Sequence, residues 1–371
     1  MGKMLRSLRS VARRCQTTKR SLATSLSEPV FVQSYPGSRV LTLSLPNEGN
    51  ELTPTVTNTL SEKLKSYTSN ASVSAVFFAS RSPDVFSVSG KSSAKKNLQN
   101  LNNFILELAS FKKPTLSVYS GQMNGTGYAA FAGSKYLLGG PSFSLVSNEL
   151  GFGTIPSAGF AFHFTKCGKY GMSLARYIAT SQCDVRGDDL YSLGMLTHLV
   201  EDEAHVSLAD ALAHTIPGKA AAEKGIVVVE DSLEDLLSAM HVGDDDVEDG
   251  GIGDPLQHEA WEKILLVPPN RQETKAEELY GEGNDEANIF SIRDDVLKCF
   301  NVGSPEMAIK KLSEVKEPWA SDAIERLSTV DRKVLNAWWK VTEMISFPGV
   351  KIDDFLRQEA QEIEKLGPGL P

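Results

Sequence analysis

Cysteine is scarce in this chain of 371 residues: four are present, and no two stand in C-x-x-C spacing. Cys15, Cys167, Cys183 and Cys299 therefore form neither a zinc-ligand pattern nor the framework of a disulfide-stapled secreted domain, and reduced thiols are the expectation. Long hydrophobic runs are missing too. No stretch reaches the ~18 consecutive apolar residues that a membrane-spanning helix needs, so no membrane partner is expected. Acids are absent from the first 27 residues, MGKMLRSLRSVARRCQTTKRSLATSLS, which hold seven Lys or Arg. Leu5, Leu8, Val11 and Ala12 recur there at helical spacing, with arginines between them. That composition predicts a mitochondrial presequence rather than a secretory signal, which needs a continuous apolar centre. A basic arm for RNA or lipid is the alternative. Cleavage is expected between roughly residues 20 and 28, and the mitochondrial matrix is the expected location.

What remains is acidic. The chain carries 38 basic and 47 acidic residues; without the first 27 positions the balance is 31 against 47, a net charge of −16. Such a body repels phosphate backbones, so direct nucleic-acid binding is not expected and any contact with RNA would be local or carried by a protein partner. With 41% hydrophobic and 23% charged residues the composition is that of an ordinary globular protein. The length allows one large domain with an appendage, or two domains.

The pattern along the chain alternates strands and helices. VFVQSYPGSRVLTLSL at 30–45 predicts two strands joined at Pro36-Gly37, and Leu52 to Tyr67 an amphipathic helix. SVSAVFFAS at 72–80 is a strand apolar on both faces. A loop at 84–93, a helix over 98–111 and a strand at 115–119 follow, with further strands at 135–140 and 142–147. Repeated strand–strand–helix units with apolar strands predict an α/β core containing parallel strands. From about 168 to 213 the sequence reads as helical. Residues 242–254, VGDDDVEDGGIGD, read as a solvated acidic loop that lacks the EF-hand alternation. Helical pattern returns over 288–366, where Trp338 and Trp339 read as packing residues. The divisions are 1–27 (presequence), 28–215 (core), 216–288 (a variable helical and acidic-loop segment) and 289–371 (a C-terminal helical region).

The stretch most suggestive of chemistry is GQMNGTGYAAFAGSKYLLGGPSFSLVSNELGFGTIPSAG, from Gly121 to Gly159. Its glycine-spaced turn follows an apolar strand and opens a helix, so bare amides and the positive helix end can face a developing anion. One acid, Glu149, stands in an otherwise apolar segment. An amide cradle followed by an acid suits chemistry at a thioester carbonyl: the cradle holds the oxyanion and the acid handles the proton. The plain alternative is a strand–turn–helix corner whose acid caps a helix or pairs with a lysine. Other motifs fail. Ser89-Gly90-Lys91-Ser92 lacks the first P-loop glycine, since Val85 occupies its place. Pro156-Ser157-Ala158-Gly159 has Ile155 where a nucleophile elbow needs glycine, and His163 is not set as its base. His258-Glu259 has no second histidine of a zinc motif, so no metal is expected.

Taken together, these pieces resemble the enoyl-CoA hydratase/isomerase (crotonase) superfamily, and within it 3-hydroxyisobutyryl-CoA hydrolase. VFSVSGK resembles the first oxyanion loop, F-x-A-G-G-D, and GQMNGTG the second, G-x-x-x-G-G-G. VSNELGFGTIPSAGF resembles P-E-T-x-I-G-L-F-P-D-V-G-G, and DDLYSLGMLTHLV resembles D-x-Y-x-x-G-[IL]-x-T-H-x-V. The last two are specific to the hydrolase branch; VLKCFNVGSPEMAIKKL also resembles its C-terminal region, and the likeness spans about residues 30–345. The resemblance implies a ClpP-like ββα spiral followed by C-terminal helices, no cofactor, and a CoA thioester as ligand. It places oxyanion amides at Val88 and Thr126, the catalytic acid at Glu149, a second carboxylate at position 157 and a further glutamate near position 101. This chain departs from that pattern: Ser157 and Leu101 replace the acids, Thr126 a glycine and Lys91 an aspartate. Its tail, FLRQEAQEIEKLGPGLP, does not resemble the segment that closes over the family's site. The expectation is a protein that has lost thioester hydrolysis. In some eukaryotes the hydrolase branch supplies a component of the mitochondrial small ribosomal subunit, so the resemblance implies partners there; an active hydrolase of valine breakdown is the alternative.

Overall fold

The computed structural model describes residues 30–43, 49–87, 93–200 and 289–367, with a few buried positions between 208 and 237. The expected presequence, the acidic loop and most of the variable segment lie outside the described residues, as does Val88. Two sheets form the core. β1 (Val30–Ser34) and β2 (Ser38–Leu43) pair antiparallel, and β3 (Ala75–Ser80) then adds to β2 in parallel. β4 (Val85–Ser87), β5 (Thr115–Val118), β6 (Gln122–Met123), β7 (Tyr136–Gly139), β8 (Ser144–Leu145), β9 (Val185–Arg186) and β10 (His198–Leu199) complete them. The larger sheet runs β1-β2-β3-β5-β7-β10 and the smaller β4-β6-β8-β9.

The alternation between sheets explains the spiral. Each turn lays one strand in the large sheet and the next in the small one, as β3 then β4, β5 then β6, β7 then β8. A helix then carries the chain back after the first two turns: α1 (Pro54–Thr68) precedes β3, α2 (Ser93–Ser110) follows β4, and α3 (Gly125–Phe131) follows β6. Every residue of β3, β5 and β7 is buried, as strands covered on both faces must be. Phe78, Phe86, Phe104 and Phe131 pack edge-on between the layers at centroid distances of 5.3–6.1 Å.

Two expectations are corrected. The loop at 84–93 contains β4, and the stretch 168–213, read as helical throughout, is broken. It holds α5 (Gly171–Ser181) and α6 (Gly187–Ser192), with α4 (Phe160–His163) just before it and β9 and β10 interposed. Thr197-His198-Leu199-Val200 extends the large sheet at β7 rather than a helix.

Among the described residues five more helices follow, beginning at residue 293: α7 (Arg293–Phe300), α8 (Pro305–Leu312), α9 (Pro318–Thr329), α10 (Arg332–Glu343) and α11 (Ile352–Lys365). Two of them, α8 and α9, start on proline, whose missing N–H costs nothing at a first turn. For α1 and α8 the preceding Thr53 and Ser304 hydroxyls cap the free amides. These helices dock on α5 through Arg176, which is 2% exposed. Its Nε donates to Thr342 Oγ1 at 2.8 Å, Nη1 to the carbonyls of Phe300 (2.9 Å) and Val302 (2.8 Å), and Nη2 to that of Trp339 (3.1 Å). The guanidinium also lies 5.0 Å from the Trp339 ring centre. Burial lowers its pKa to about 10. Trp338 and Trp339 are buried in the packing, as their spacing predicted.

Candidate active site

The glycine-spaced turn is shaped by close approach. Gly121 has φ +60°, and a Cβ there would lie 2.1 Å from the backbone carbon of Asp84, so no other residue fits. β6 then ends, and Asn124 caps α3: its Oδ1 accepts from the Gly127 amide at 2.8 Å. Gly127 itself presses on Ser87, whose carbonyl oxygen would be 2.6 Å from an added Cβ.

Glu149 opens a 3₁₀ turn over Glu149–Phe152 and is 2% exposed. Its Oε1 accepts the Thr126 amide at 2.7 Å, and its Oε2 accepts the Ser147 hydroxyl at 2.8 Å. Gly125 makes room for it, since a Cβ there would stand 3.1 Å from Oε1. Of the expected cradle, Thr126 is thus brought against the expected acid and bonded to it. Two of the free amides at the start of α3 are taken, Thr126 by Glu149 and Gly127 by Asn124. Glu149 caps a helix, as the plain alternative anticipated.

Thr126 and Ser157 meet as well. The Ser157 amide donates to Thr126 Oγ1 at 3.1 Å, and the two hydroxyl oxygens lie 3.3 Å apart. Thr126 is 1% exposed and Ser157 fully buried. The added threonine side chain does more than crowd the turn: its hydroxyl ties the 121–127 turn to the 155–159 segment. Leu101, on α2, is a buried core residue and brings no charge. His163 is buried beside Tyr128, ring centres 6.4 Å apart. Burial holds its pKa down at about 3, so it is a neutral core residue rather than a base.

One acid was missed in the sequence. Glu359, on α11, is fully buried, and both its carboxylate oxygens lie 3.2 Å from the Gly159 amide. Burial pushes its pKa up to about 8, against the opposing pull of the Gly159 and Ala158 amides. The amide it meets is two residues past Ser157, on backbone turned by the positive φ of Ala158 (66°) and Gly159 (74°). A signal existed: Phe355, Leu356, Glu359, Glu362 and Ile363 share the buried face of α11, so an acid sits on an apolar stripe.

The fold and the motif regions both find relatives. The family profile for enoyl-CoA hydratase/isomerase matches residues 38–249. Among solved structures, a carnitinyl-CoA dehydratase from Mycobacterium thermoresistibile superposes with a TM-score of 0.61 at 17% identity, over 90% of this chain and 84% of that one. An enoyl-CoA hydratase from Rhodobacter sphaeroides 2.4.1 superposes with a TM-score of 0.62 at 14% identity, over 91% and 86%. At such identities these likenesses speak for the fold alone. A search of curated proteins finds no match. With the profile covering more than half of its 371 residues, the chain belongs to the enoyl-CoA hydratase/isomerase family and has its crotonase fold.

Proposed function

We propose that this chain is a 3-hydroxyisobutyryl-CoA hydrolase-like protein of the mitochondrial matrix that no longer turns over thioesters. We further propose that it serves as a structural component of the mitochondrial small ribosomal subunit. The loss of turnover rests on one observation: Glu149 Oε1 occupies the Thr126 amide at 2.7 Å. An oxyanion hole works by aiming bare N–H groups at the oxygen that gains charge. Here the acid that would move the proton has taken the donor that would hold the oxyanion. Loss of one such donor costs about 10²–10³ in rate, and Ser157 offers no carboxylate to position water. The ribosomal role draws on the resemblance to the hydrolase branch. The excess of 47 acidic over 38 basic residues favours a place held by protein contacts.

The test is thiol release from 3-hydroxyisobutyryl-CoA and other short acyl-CoAs by the purified protein. No release above the buffer background is expected. Turnover that Glu149→Gln abolishes would overturn the proposal. Sedimentation of the native protein with mitochondrial small subunits tests the second part; a protein that runs alone at about 40 kDa after gentle lysis would refute it.

A second reading has its own support in Glu359. A carboxyl with its pKa near 8, bonded to the amide two residues past the vacated acidic position, is the kind of group that could donate or accept a proton. In that reading the chain is an active acyl-CoA hydrolase with its second acid supplied by α11. Thiol release sensitive to Glu359→Gln is its signature.

A further inference from the structure

A cleft of about 670 Å³ opens between the end of α5 and α9, within the usual size range of ligand pockets, ~300–1,000 Å³. Tyr177 and Trp319 line it, their rings meeting edge-on at 5.6 Å. Three acids surround these rings: Asp184 on one wall, Asp322 and Glu325 on the other, all exposed. Asp322 and Glu325 form no ion pair among the described residues. The one lining cation, Arg326, is turned to Gln182, donating from Nη1 to Oε1 at 3.1 Å.

Aromatic rings flanked by carboxylates on two walls favour a cation that brings its own apolar stem. We propose that this cleft is a docking site for an arginine- or lysine-bearing segment of a partner protein. Charge decides against nucleic acid, whose phosphates the three acids repel. The cleft has room for more than one side chain, and its acids stand at the rim on separate elements, as suits a peptide segment. A partner of this kind fits the acidic chain as a whole, which carries a net charge of −9. None of the lining residues belongs to the Glu149 centre, and the proposal holds whether or not that centre turns over thioesters.

The probe is a fluorescein-labelled hexa-arginine peptide, titrated with the full-length protein in about 0.15 M salt and read by anisotropy. Micromolar binding is expected, weakened at least tenfold by D322K/E325K and severalfold by Trp319→Leu. The matched reversal E62K/E364K, on exposed residues of α1 and α11, should change it less than twofold. Circular dichroism confirms that each variant is folded; should Trp319→Leu fail that check, Trp319→Phe replaces it. Equal weakening by the two charge reversals would show attraction to overall acidity and overturn the proposal, as would no binding by the unaltered protein at millimolar concentration.

Discussion

A carboxyl buried as completely as Glu359 makes stability depend on pH, and the sign follows from its raised pKa. The folded state keeps a proton that the unfolded chain releases above about pH 4.5. The stabilisation is whole below that pH and is lost as pH rises toward about 8. His163 works the other way: its folded pKa near 3 lies below the ordinary 6.5, so stability is lost as pH falls through that interval. The two slopes oppose each other between pH 4.5 and 6.5. From 6.5 to 8, of these two groups only Glu359 still contributes a slope, at up to about 1.4 kcal/mol per pH unit. Urea midpoints of the protein should therefore fall across that range, and Glu359→Gln, which keeps the shape without the titration, should flatten the curve. At Glu149 the structural role can be separated from any chemical one. Glu149→Ala leaves the Thr126 amide buried and unpaired and should cost about 1–3 kcal/mol of stability by denaturant unfolding. Gly121→Ala should cost more, about 3 kcal/mol or above, because both its φ and the Asp84 backbone exclude a side chain.

Among the elements, the joint between α5 and the C-terminal helices concentrates on Arg176. Replacing it with methionine keeps the stem but leaves the carbonyls of Phe300 and Val302 without its donors. A loss of roughly 3–5 kcal/mol is expected, and Arg176→Lys should recover little of it because an ammonium lacks the fork. This joint also marks where sequence reading stops. Strands such as Ala75–Ser80 are legible because apolar continuity is a local property, and the turn at Gly121–Gly127 because glycine is needed where backbones nearly touch. β9 and β10 are two residues each, too short for any periodicity, so the helical pattern around them was extended over both. Arg176 reads as one polar residue in an amphipathic helix; its acceptors lie 124 to 166 positions away. The same holds for Glu359, whose partner amide is 200 residues distant. The turn that carries Thr126 and the acid Glu149 both stand out in the sequence. That they bond to each other depends on side-chain direction, which spacing does not encode.

At the scale of the whole molecule, the Arg176 anchor and the shared apolar core make the spiral and the C-terminal helices one packing unit. Trp319, Trp338 and Trp339 all report from the C-terminal side. Their fluorescence and far-UV circular dichroism should therefore trace coincident unfolding transitions. Two separated transitions would mean that the helical region melts by itself. The bond between Thr126 and Ser157 also couples two distant segments of the chain. Ser157→Asp alone would press a buried carboxylate against the Thr126 hydroxyl, and Thr126→Gly alone would strip the Ser157 amide of its acceptor. Each substitution should lower stability by about 1–3 kcal/mol, while the two together should cost less than their sum. A single exchange at either position thus meets a barrier that the paired exchange lowers. Two residues that lean on one another in this way behave as one unit, and neither position is free to vary while the other stays.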